Sequence, residues 1–143
     1  MTSQRGFSLI ETLVALLILS IGLIGVAAIQ LKALQSANAG YQRSVASLAA
    51  VDAQERFWAQ LATLDVTQTC GHIDTFAVQT AWKTHWFEGS GSSPLRGASS
   101  SLSRIEKEDS SDGCRVTVNV ALGDDENDQF DYFFLLPWVE SSL

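Results

Sequence analysis

Hydrophobic positions divide the chain into three textures. From Thr12 to Leu31, twenty consecutive residues carry no charge. About 20 apolar residues at 1.5 Å each cross the ~30 Å hydrocarbon core of a bilayer, so this run is predicted to be a membrane-spanning helix. Beyond Gln30 the pattern turns amphipathic. Leu34, Tyr41, Val45, Leu48, Val51, Trp58 and Leu61 recur at spacings of three, four and seven, which is one face of a helix. That stripe is predicted to pack against the rest of the chain, leaving the other helical surface for partners. Lys32, Gln35, Arg43, Asp52, Glu55 and Arg56 supply polar positions, and Asp52 is spaced to form an i,i+4 pair with Arg56. No proline occurs between residue 7 and about residue 64, so a single long helix is expected there. Gly22, Gly25 and Gly40 each cost ~1 kcal/mol relative to alanine in a soluble helix. Within a membrane, Gly22 and Gly25 either allow close helix contact or mark a point of bending.

The third texture is mixed. Asp65 to Gly71 reads as a loop. Asp74 is a suitable N-cap for a second helix reaching about Phe87, with a strand as the alternative. Two faces of that helix are candidates. One holds Ile73, Phe76, Ala77, Thr80, Thr84 and Phe87; the other holds Val78, Trp82 and Trp86. Serine and glycine dominate from Glu88 to Ser103, a predicted loop, with a short edge strand over Ser101 to Glu108. Asp112-Gly113 is a turn signal. Val116, Val118, Val120 and Leu122 then alternate with Arg115, Thr117 and Asn119, the mark of a half-buried strand. An acidic turn, Gly123 to Asp128, leads to a partner strand over Gln129 to Trp138. Its aromatics Phe130, Tyr132, Phe133, Phe134 and Trp138 are expected in the sheet core, with any excess facing a partner. The fold class is therefore α+β: a long N-terminal helix packed on a small antiparallel sheet.

Composition narrows the function. A chain of 143 residues suits one anchored domain, and removing the anchor leaves about a hundred residues, a single small head. The net charge of −7 opposes a general nucleic-acid binder, which needs a basic surface. Up to Lys32 the only charges are Arg5 and Glu11. Arg5 favours a cytoplasmic N-terminus, with the head on the far side of the membrane. Cys70 and Cys114, both in the head, then default to a disulfide.

Other chemistry is weaker. Cys70, His72, His85 and Cys114 hold the atoms for zinc, but their spacing fits no finger. Cys70-Gly71-His72 suggests a thiolate nucleophile only if Cys70 is unpaired. Asp124-Asp125-Glu126-Asn127-Asp128 suggests calcium, yet an EF-hand wants glycine at its sixth position and glutamate at its twelfth. Counted from Asp124 those positions are Gln129 and Leu135, so a solvated turn is expected. No metal or cofactor is expected, and no enzymatic activity.

The most specific motif is Gly6-Phe7-Ser8-Leu9-Ile10-Glu11 ahead of the apolar run. A carboxylate at a membrane segment is costly enough to point to a function. Residues 7–29 resemble type IV pilins and pseudopilins. The run Leu13 to Gln30, with Tyr41-Gln42-Arg43-Ser44, Leu48-Ala49-Ala50-Val51-Asp52 and Arg56, is most similar to minor pilins of the PilV type. The resemblance covers about the first 60 residues. It implies cleavage between Gly6 and Phe7 by a membrane prepilin peptidase, N-methylation of Phe7, and use of Glu11 in filament assembly. It also implies partners: the inner membrane, other minor and major pilins, and the pilus assembly machinery. The chain then divides into a leader (1–6), an assembly helix (7–31), its amphipathic continuation (32–64) and a periplasmic head (65–143). A type II secretion pseudopilin is a neighbouring reading. An uncleaved signal anchor and a secretory signal cut near Ala37-Asn38-Ala39 are the competing ones.

Overall fold

A computed structural model describes residues 8–65, 67–88, 93–95, 97–125 and 127–138. The expected leader, the Gly6–Phe7 junction and Arg5 lie outside the described residues. Helix α1 spans Leu9–Leu61, and α2 spans Thr75–Trp86. Strands β1 (Ser99–Ser110), β2 (Gly113–Ala121) and β3 (Gln129–Pro137) form one antiparallel sheet in the order β1-β2-β3. The architecture is the expected α+β layout. The chain divides into two units, Met1–Gly40 and Tyr41–Leu143.

In the first unit, every described residue is exposed, including Leu13, Leu17, Ile21, Ile24 and Leu31. Ser20 returns its hydroxyl to the Leu16 carbonyl at 2.7 Å, so even this polar residue leaves no unpaired donor on the apolar helix. The helix is long and apolar enough to cross a membrane.

The second unit holds the core. Its sheet buries Val116, Val118, Val120, Phe134 and Leu136 on one face. Alternation along β2 and β3 puts these residues on one side of the pleat, in register, with Val116 opposite Phe134 and Cys114 opposite Leu136. Residues 45–61 of α1 cover that face. Phe57 meets Phe134 edge-on at 5.8 Å between ring centres, and the Tyr132 hydroxyl donates to Gln54 Oε1 at 2.5 Å.

The buried face of α1 differs from the expected stripe. Only Val45 and Leu61 of that stripe are buried; Leu34, Tyr41, Leu48, Val51 and Trp58 are exposed. Ala46, Ala49, Ala50, Ala53 and Phe57 take their place. Side-chain size explains the switch. The small alanines leave room on α1 for large rings such as Trp82 of α2, and Phe57 packs edge-on against Phe134. Against that alanine face lies α2. Trp82, fully buried, donates its indole N–H to the Ala49 carbonyl at 2.7 Å. Trp86 donates to Asp52 Oδ2 at 2.9 Å, and the same oxygen accepts from Arg56 at 2.7 Å, the anticipated i,i+4 pair. Ala53→Leu should therefore overpack this interface. Such insertions cost ~1–3 kcal/mol, and each lost kcal/mol lowers the melting midpoint of a domain this size by roughly 4–8 °C. Thermal unfolding of the full chain in detergent checks it, and an unchanged midpoint would contradict this packing.

Helix α2 starts as anticipated: Asp74 Oδ1 accepts from the Ala77 N–H at 3.0 Å. Its buried face is Val78 and Trp82, with Trp86 half-buried; Phe76, from the other candidate face, is exposed. Strand β1 begins earlier than expected, at Ser99, because buried Ser103 stitches a bulge into the sheet. Its hydroxyl donates to the Ser99 carbonyl at 2.7 Å and accepts from the Ala121 N–H at 3.0 Å. Gly113 closes the β1–β2 turn at φ +146, and a Cβ there would collide with the Leu136 carbonyl oxygen. Of the β3 aromatics only Phe134 is buried; Phe130 and Tyr132 are half-buried, and Phe133 and Trp138 are exposed.

Candidate functional site

Two places carry the candidate chemistry. The first is the start of α1. Glu11 lies in its first turn. The Glu11 and Thr12 N–H groups both donate to the Ser8 carbonyl, at 3.0 and 3.3 Å, and the Thr12 hydroxyl donates to Leu9 at 2.8 Å. The helix is thus regular through Glu11, and its carboxylate stands at a helix N-terminus, where the positive end of the backbone dipole favours an anion. Its neighbours Leu9, Ile10, Leu13 and Val14 are apolar and exposed. Among the described residues no cation pairs with Glu11. The Glu11 carboxylate is thus exposed among exposed apolar residues. Gly6 and Phe7 lie outside the described residues, so no geometry links them to Glu11 here.

The second place is the join between η1, a short 3-10 turn at Cys70–His72, and the sheet. A disulfide links Cys70 to Cys114 with Cα atoms 6.0 Å apart, and both residues are fully buried. It ties the segment after α1 to the start of β2. Both sulfurs are committed to this bond, so neither is a thiolate ligand or nucleophile. His72 turns back onto its own segment, its Nδ1 accepting from the Thr69 N–H at 3.1 Å. His85 lies edge-on to Trp86 on α2, 5.4 Å between ring centres.

Lys107 reinforces the join, and no sequence pattern announced it. Its Nζ donates to the carbonyls of Gly71 at 2.6 Å and of Cys70 and Ile73 at 3.2 Å each. One ammonium thus gathers three backbone carbonyls of the turn, one of which, Cys70, also accepts from the Ile73 N–H at 3.2 Å. Gln79 is a similar surprise: its side-chain oxygen accepts from the Ile105 N–H at 2.6 Å, occupying the outer edge of β1 from α2.

The acidic turn closes on itself. Asp125 Oδ1 accepts from both the backbone and the side-chain N–H of Asn127, at 2.9 Å each. Those hydrogen bonds, the backbone one first, hold its carboxyl below the usual aspartate range. Arg43 approaches Asp128 at 3.8 Å across exposed surface.

With this geometry in view, comparison with protein families is informative at one end of the chain. Residues 1–27 match the family model described as the prokaryotic N-terminal methylation motif, a type IV pilin-family signal. No curated protein matches the chain, and no solved structure matches it. The matched segment contains Gly6, Phe7 and Glu11 and overlaps the exposed apolar helix. A methylation signal and a single N-terminal apolar helix fit an inner-membrane anchor, and the motif suggests a structural protein in place of a catalytic one.

Proposed function

We propose that this chain is a minor pilin of a type IV filament, most similar to the PilV type, which helps initiate filament assembly. Prepilin peptidase cuts between Gly6 and Phe7, and the new amine of Phe7 is methylated. Residues 7–31 wait as a helix in the inner membrane, with the N-terminus cytoplasmic and the head periplasmic. Residues 32–64 continue that helix, and residues 65–143 form the head. On assembly the helix leaves lipid for a bundle of other pilin helices, and Glu11 pairs there with a terminal amine.

The observation that carries this reading is the methylation motif over residues 1–27, which ends inside an exposed apolar helix. Physical chemistry adds a reason for each part. Gly6 offers no side chain to obstruct a peptidase. Removing residues 1–6 removes Arg5 and leaves a terminal ammonium about four residues, or ~6 Å along a helix, from Glu11.

Gly6→Leu tests the junction. A branched side chain at the cut bond should block processing, so the variant accumulates at full length in the membrane fraction. Electrophoresis beside the wild type reads the difference. Normal shortening of the variant would remove Gly6 from the junction.

A further inference from the structure

The turn that presents Cys70 has little structure of its own. Its closing backbone bonds are local: the His72 N–H donates to the Thr69 carbonyl at 2.9 Å and the Ile73 N–H to that of Cys70 at 3.2 Å. A 3-10 turn of three residues has poorer hydrogen-bond geometry than an α-helix. Ordering each residue of such a segment costs conformational entropy. Cys114, by contrast, is fixed by the sheet, opposite Asp109 on β1 and Leu136 on β3.

Lys107 belongs to the same ladder. It stands opposite Val116, in a stretch where β1 and β2 pair without interruption from Arg104 to Ser110. Residues two apart on a strand share a face, so Lys107 and Asp109 lie on the side of the sheet that carries Val116 and Cys114. Both reach the Cys70 turn. Lys107 Nζ donates to the Gly71 carbonyl at 2.6 Å and to those of Cys70 and Ile73 at 3.2 Å each. The Asp109 carboxylate lies so close to Gly71 that a Cβ there would come within 3.3 Å of Oδ2. A side chain rooted one pleat from Cys114 therefore holds the carbonyl of Cys70 itself, and the disulfide formed between the two cysteines is fully buried.

Two restraints on one turn share a single entropy cost. Whichever forms first orders Thr69 to Ile73, and the second then closes on a segment already in place. We infer that Lys107 is a positioning residue for the disulfide: its clasp seats the Cys70 turn on the sheet before the covalent bond exists and raises the effective concentration of the Cys70 thiol at Cys114. The reaction is thiol–disulfide exchange with a small disulfide such as oxidised glutathione. One thiolate of the chain attacks a glutathione sulfur, giving a mixed disulfide and releasing one glutathione. The other thiolate of the chain then displaces the second. The chain gives up two protons and two electrons, and two glutathione thiols carry them away. This inference concerns the head alone and is independent of the pilin reading.

The test equilibrates the full chain in detergent with reduced and oxidised glutathione near neutral pH and reads free thiols by alkylation and mass. Lys107→Met keeps the apolar stem and removes the donors. It should lower the effective concentration of the thiol pair by about tenfold or more. Arg104→Met, a cation of the same strand on its other face, should leave it unchanged. Linkage makes the coupling reciprocal, so it is also read on a chain that retains Lys107 and does not require Lys107→Met to fold. In the Cys70→Ser, Cys114→Ser chain, acylation of Lys107 should speed up by the same factor over the wild type. The rate is taken relative to Lys83 of α2, which reports any general loosening of the head. Circular dichroism verifies the fold of each chain. An effective concentration unchanged by Lys107→Met, or a Lys107-to-Lys83 ratio unchanged by the serine pair, would overturn the inference and leave Lys107 a general support of the head. So would a rise in effective concentration, because a cation that acts by stabilising the Cys70 thiolate favours the reduced form. A comparable fall in Arg104→Met would overturn it as well, by making charge on β1 the cause.

Discussion

Glu11→Ala should be cleaved, methylated and inserted in the membrane, yet be lost from filaments. On the proposed reading, Glu11 of the unassembled subunit lies near a mature terminus at Phe7, within reach of headgroups and water, so its charge is solvated at small cost. In a bundle of apolar helices that water is gone. A carboxylate there needs a cation, because an isolated charge in a low-dielectric interior is penalised by several kcal/mol. The first turn of α1 offers no partner among the described residues. The candidate is the Phe7 ammonium, its own or a neighbouring subunit's. A neighbour's amine also fixes the axial register between subunits, a role in specificity more than in stability. Alanine leaves that amine buried and unpaired. Breaking one side of a buried pair costs ~3–5 kcal/mol, which corresponds to about a hundredfold or greater loss of incorporation. Cells fractionated into membrane and sheared-filament pools give the result. A processed Glu11→Ala subunit found in filaments at the wild-type level would remove Glu11 from assembly and leave it a role only in peptidase recognition.

Cys114→Ser has the second large expected effect, on the head. The bond closes a loop of 44 residues. In the chain-entropy model such a loop is worth about 4 kcal/mol, and engineered cases often deliver less. A domain of about a hundred residues has ~5–15 kcal/mol in total, so this share is large. The melting midpoint of the full chain in detergent should fall by roughly 15 °C or more, and the amount of protein in cells should fall with it. Lys107 supplies the internal control, because it holds the same turn by three carbonyls without a covalent bond. If Cys114→Ser barely moves the midpoint, the Lys107 clasp and the core hold the turn, and the disulfide is dispensable.

What the sequence disclosed about the fold follows a physical line. Strand β2 was legible because Val116, Val118 and Val120 alternate with polar residues, and all three are fully buried. The start of α2 was legible because Asp74 is a good cap and does cap. Local rules suffice for both. The buried face of α1 was not legible, since periodicity weighs large apolar side chains and α1 has them on several faces. Which face is buried depends on where the large rings of another element can seat, and Ala46, Ala49, Ala50 and Ala53, which leave that room, carry no signal of their own. Lys107 and Gln79 escaped for a related reason. Their partners are backbone groups 26 to 37 residues away, set by the tertiary path. The methylation motif over residues 1–27 is the reverse case, because it is matched as sequence without reference to the tertiary path.

The central claim turns on one bond, between Gly6 and Phe7. Intact-mass and N-terminal peptide analysis of the chain purified from cell membranes tests it directly. The account predicts a chain that begins at Phe7 and carries one methyl group on its terminal nitrogen. A chain that retains Met1 to Gly6, or one that begins beyond Ala39, would contradict it.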